Sequence, residues 1–178
     1  ISKPLGMLHT VALPSVSMLD CSSSILKIID IYKQQKVEIN KIFLDPAGAF
    51  KSIYKQFVLP AVVEISGVDQ HVVDAVIEIK LIKEKMRSIE NSLPFYLPDR
   101  FITDLVTYAT TMTNLLPRMG YPIGARNRFY GETVHVDKLN GEFLSFAQAH
   151  VISKKGYNGH ESRTNDVLLL RPTFNKNA

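Results

Sequence analysis

Two acidic residues carry the chemistry that this sequence offers most openly. Asp45 follows the apolar run VEINKIFL and precedes Pro46, and Glu78 lies inside the long stretch GVDQHVVDAVIEIKLIKEKMRSIEN. Carboxylates from two separate elements can share divalent cations. Such a pair of cations can stabilise both the attacking and the leaving oxygen of a phosphodiester displacement. Hard oxygen ligands of this kind suit Mg²⁺ or Mn²⁺. Each residue also has a plainer reading. Asp-Pro is common turn chemistry, and a single Glu on a helix flank is usually just solvated.

The elements that would position them follow from local pattern. Proline disfavours the helical region for its predecessor, so Asp45 stays extended at the C-terminal end of a strand over Val37–Leu44. In open α/β sheets ligands gather at that edge. Val72, Val76, Ile79, Met86 and, more loosely, Ile82 and Ile89 recur at the spacing of one helix face. Asp69 can cap the helix start, and Asn91-Ser92-Leu93-Pro94 ends it. Glu78 borders the apolar stripe, where it can be half-buried against a neighbour. Lys85, seven residues on, returns to nearly the same face.

The rest of the chain alternates strands and helices. Ile1–Lys3 and Met7–Leu13 read as two strands around a Pro4-Leu5-Gly6 turn. Ser17–Gln35 reads as a helix capped by Ser15 or Ser17, with Leu19, Leu26, Ile29 and Tyr32 on one face. Gly48–Phe57 is expected to be a short helix, Pro60–Ile65 a strand, and Asp99–Leu116 a helix capped by Asp99. The order β-β-α-β-α-β-α predicts a layered α/β domain with a mostly parallel sheet and a hairpin. Glu142–Val151 and Val167–Leu170 suggest short strands of a small β module. Two parts are therefore expected, 1–116 and a basic, aromatic and β-rich extension over 117–178.

Composition limits the alternatives. The 178 residues are 46% hydrophobic and 21% charged, with a net charge of +4. That allows one domain with a sizeable core, and permits a polyanionic partner without demanding one. No apolar run approaches the roughly 20 residues of a membrane span. The single cysteine, Cys21, rules out a disulfide framework and reads as a small core residue. There is no glycine-rich phosphate loop and no Gly-x-Ser-x-Gly elbow, so a small-molecule enzyme is the weaker class. His9, His71, His135, His150 and His160 show no tight metal-ligand pairing. The stretch PRMGYPIGARNRFYG holds Arg118, Arg126 and Arg128 among Tyr121, Phe129 and Tyr130, with no acid. Cations that meet phosphates and rings that stack on bases suit a nucleic-acid surface. A solvated loop with a few buried rings is the alternative.

Taken in order, FLDPAGAF, GVDQHVVDAVIEIKLIKEKMRSI and LPFYLPDRFITDLVTYATTMTNLLPR resemble the integrase region of a Copia-like retrotransposon polyprotein. RFYGE and SRT…LLLRPT resemble segments downstream of that core. The resemblance covers residues 1–135 well and the rest faintly. It implies an RNase-H-like three-layer fold with a central mixed sheet, and a catalytic triad of Asp, Asp and Glu binding Mg²⁺ or Mn²⁺. Asp45 then matches the second Asp and Glu78 the Glu. Their separation is slightly shorter than the family's usual one. By the same analogy Lys80, Lys83 and Lys85 face DNA, with Lys85 best placed, and His71 lies beside the substrate. The resemblance further implies element ends and target DNA as partners, a homo-oligomer, and a nuclear or cytoplasmic-particle location. The family's first Asp belongs to a strand expected before Ile1, and its zinc-binding module has no counterpart here. Two expectations result: a fragment of a polynucleotidyl transferase that is inactive by itself, or a non-catalytic nucleic-acid-binding remnant of the same fold.

Overall fold

The computed structural model describes residues 2, 4–45, 48–56, 59–66, 73–118, 120–134, 141–150 and 164–172. The molecule is mixed α/β, with small sheets and five α-helices among those residues.

Helix α1 spans Met18–Gln34. Its N-cap is Ser17, whose hydroxyl accepts from the Asp20 amide at 3.1 Å and so pairs one of the free donors of the first turn. Lys36, at φ +57°, turns the chain out of the helix. Strand β1 (Lys41–Leu44), helix α2 (Gly48–Gln56) and strand β2 (Val62–Ile65) form a β-α-β unit. The strands run parallel, with Lys41 opposite Val62 and Leu44 opposite Ile65. Cys21, Leu44, Ile53 and Leu59 form the buried cluster beneath this unit. It seats the end of β1, and hence Asp45, on α1 and α2.

Helix α3 covers Val73–Ser92 and buries none of its residues fully. The expected apolar stripe is covered only at its far end. Met86 and Ile89 pack on the cluster of Leu105, Phe143 and Leu144, whereas Val76 and Ile79 are exposed. A 3₁₀ turn, Asp99–Phe101, leads into α4 (Ile102–Leu115). Asp99 lies inside that turn and its side chain makes no capping bond, contrary to the sequence expectation. Helix α5 (Ala125–Tyr130) occupies part of the stretch read as a loop. Its Ala125 and Phe129 join Met7 and Tyr32 in a third cluster. Strands β3 (Phe146–His150) and β4 (Thr164–Leu168) pair antiparallel.

Two other expectations are corrected. Residues 7–13 join no sheet, and the strand expected over 37–44 is regular only from Lys41. The physical reason lies in their partners. Val37 and Ile39 pack toward Met7, Tyr32 and Phe129. The backbone of Leu8 is bonded by a side chain of α4 instead of a strand. Among the described residues there are two sheets of two strands each.

Candidate functional site

Asp45 is exposed directly beyond β1, while its neighbour Leu44 is buried. Ser66, at the end of β2, donates to the Leu44 carbonyl from its amide at 3.1 Å and from its hydroxyl at 3.3 Å. The two strand ends are thus tied together immediately before the carboxylate.

Glu78 sits in the second turn of α3, and its side chain is only 18% exposed. The cause is a partner forty residues away. Arg118, in the turn that leaves α4, donates from Nη1 to Glu78 Oε1, and its own side chain is 22% exposed. The pair is incompletely satisfied: Glu78 Oε2 and Arg118 Nε and Nη2 are shielded from water and have no hydrogen-bond partner. Lys85 returns to this face as its spacing predicts. Burial lowers its pKa, the neighbouring Arg118 lowers it further, and Glu78 opposes both.

The remaining candidates are dispersed. Lys80 is exposed, with its ammonium 4.0 Å from Glu84 one turn on. Lys83 is exposed. His71 lies outside the described residues. Arg126 and Arg128 are half-buried on rings: the Arg126 guanidinium is 4.5 Å from the centre of Tyr130, and that of Arg128 is 3.7 Å from the centre of Tyr121. Arg128 Nη1 and the Tyr121 hydroxyl both donate to the Pro4 carbonyl, at 3.4 and 3.3 Å. Arg128 therefore clamps the start of the chain to the 118–121 turn, a structural task that the residue pattern does not announce.

These contacts decide how well Glu78 suits a divalent cation. One carboxylate oxygen is engaged by a guanidinium, and a second cation, Lys85, stands close by. Magnesium takes an octahedron of oxygens, and two adjacent positive charges repel it. Among the described residues no three His, Cys, Asp or Glu side chains assemble into a metal-binding group. As arranged, the residues around Glu78 do not fit Mg²⁺ or Mn²⁺.

A separate cavity of about 180 Å³ opens between residues 7–10 and helices α4 and α5, lined in part by His9, Thr107, Thr111, Asn114 and Arg126. The His9 ring meets Tyr32 and Phe129 edge-on, with centroids 5.3 and 6.1 Å away. Its Nε2 is buried without a partner, and burial lowers its pKa.

The residue that sequence reasoning missed is Arg118. It was visible as one of three arginines in a basic and aromatic stretch, but no local pattern relates it to a Glu forty positions earlier. The chain matches no family model, no curated protein and no solved structure. Among the described residues no helix is long and apolar enough to cross a membrane.

Proposed function

We propose that this chain is a nucleic-acid-binding domain of the retroelement-integrase type, an RNase-H-like remnant that grips a phosphate backbone with cations and performs no strand transfer by itself. The observation that carries the reading is the engagement of Glu78 by Arg118. The carboxylate best placed to hold a metal is neutralised by a fixed guanidinium, while Arg118 and Lys85 leave the site with a cationic excess. The order of elements around it supports the family likeness, because Asp45 follows the first of two parallel strands and Glu78 lies on the helix after the second. DNA is the partner that this reading names, both element ends and target.

A second reading has one observation in its favour. Asp45 is exposed at the C-terminal end of a parallel strand, the usual ligand edge of such sheets. It assigns the chain to a metal-dependent polynucleotidyl transferase that uses Asp45 and Glu78, with a further carboxylate that these residues do not identify.

One experiment separates the two. The 178-residue chain is incubated with labelled element-end and target duplexes in Mn²⁺, and binding and joining are measured on the same samples. Salt-sensitive binding with no joined product is expected. Joined product that disappears in Asp45→Asn would replace the first reading with the second.

A further inference from the structure

Arg118 makes one bond with a group that has five donors. Nη1 goes to Glu78, while Nε and Nη2 are left without acceptors. Those two atoms are not a random pair. They lie along one edge of the planar guanidinium, and that edge matches two oxygens of a phosphate or carboxylate at once. Unpaired donors held away from water are costly, so the edge gains from any oxygen acceptor that reaches it. The charge around it selects an anion. Arg118 and Lys85 contribute two positive charges and Glu78 one negative, a sum of +1, which a singly charged phosphodiester balances.

The backbone beneath Arg118 is braced. The Tyr121 amide donates to the Arg118 carbonyl at 2.8 Å across a turn that contains Gly120 at φ +84°. Tyr121 in turn lies under the Arg128 guanidinium, and its hydroxyl is held by the Pro4 carbonyl.

We infer that Arg118 is a receptor for one phosphate of a nucleic-acid backbone, its Nε–Nη2 edge taking two phosphate oxygens while Glu78 holds the opposite side of the guanidinium. Glu78 is then a positioning residue: it acts on the ligand through Arg118. Lys85 adds a second positive charge beside the same phosphate. In the free protein the receiving edge is shielded from water, so the side chains over it must part to admit the ligand while Arg118 stays on Glu78. The inference rests on the nucleic-acid-binding reading and adds to it a specific contact.

The test is fluorescence anisotropy of the full chain with a short labelled DNA duplex, between about 50 and 200 mM salt. Arg118→Ala is expected to weaken binding about tenfold and to flatten the plot of log affinity against log salt by about 0.9, the share of one phosphate. Arg118→Lys keeps the charge but not the fork, so it is expected to keep the salt slope and still bind more weakly. Glu78→Gln discriminates most sharply. Charge alone says that removing an acid tightens binding to a polyanion, whereas loss of a positioning partner weakens it, and weakening is expected. Circular dichroism of each variant checks the fold, and Arg118→Lys decides if Arg118→Ala does not fold. A chain that binds DNA with the same affinity and slope after either Arg118 substitution overturns the phosphate receptor, and tighter binding by Glu78→Gln overturns the positioning role. A wild-type chain that binds no DNA overturns the function on which both rest.

Discussion

The side-chain amide of Asn114 bonds twice to the backbone of Leu8. The Leu8 amide donates to Asn114 Oδ1 at 2.9 Å, and Asn114 Nδ2 donates to the Leu8 carbonyl at 2.8 Å. Both bonds are buried, and the carboxamide takes the place that a neighbouring strand would hold. It fastens residues 7–10 to α4, closes one wall of the cavity beside His9, and gives buried backbone groups the partners they require.

Asn114→Leu tests how much this bridge holds. The substitution keeps the bulk and leaves an N–H and a C=O of Leu8 unpaired in a buried place. Stability is expected to fall by about 2–4 kcal/mol. Urea unfolding reads it as a lower midpoint at unchanged slope. A midpoint equal to that of the wild type would mean that water reaches Leu8 freely.

His9 gives the molecule a pH dependence of definite sign. Burial lowers its pKa in the folded state below the ordinary value of 6.5. In the interval between the two values the unfolded chain binds more protons, so stability rises with pH there. The loss begins as pH falls through about 6.5 and continues down to the folded-state value. His9→Gln is expected to flatten this part of the profile. Urea midpoints at about pH 7.5 and pH 5.5, compared between the two proteins, check it. An unchanged difference between the two pH values would assign the slope to other groups.

Gly124 controls the elbow that presents Arg118. A Cβ at this position would run into the backbone carbonyl of Leu115 and crowd that of Asn114. The close approach of the start of α5 to the end of α4 therefore needs a residue without a side chain, and it closes the loop 116–123. Gly124→Ala must push the two helices apart. A loss of about 1–3 kcal/mol is expected, as for other overpacked sites. Because the loop carries Arg118, DNA affinity is expected to fall with it. An alanine variant with wild-type midpoint and affinity would show that the elbow relaxes without consequence.

Much of the local structure was legible because it depends on neighbours in the chain. Helix α1 begins after Ser17 because a serine there can pair with the Asp20 amide. Strand β1 ends before Asp45-Pro46, and α2 and β2 fall within a residue or two of their expected limits. Cys21 is buried, as a lone cysteine on a helix without a partner suggests. Helix α5 was hidden because Gly124 and Gly131 read as turn residues. They are turn residues, but they bracket six helical ones. The stripe on α3 was visible as a periodicity, yet periodicity states only which side of a helix is apolar. How far along that side a neighbour extends is not written in it. Here Leu105, Phe143 and Leu144 cover the Met86 end, and Val76 lies bare.

The candidate site divides the same way. That Glu78 would border an apolar face, and that Lys85 would rejoin it, follows from the 3.6-residue turn alone. Only the folded chain decides that the Glu78 carboxylate meets Arg118, that Arg128 Nη1 donates to the Pro4 carbonyl, and that Leu8 pairs with a side chain instead of a strand. Helix and strand limits are set by interactions across a few residues, which the order of amino acids encodes directly. Ion pairs and bridges between residues 40 to 124 positions apart depend on how separate elements pack, and packing is a property of the whole molecule.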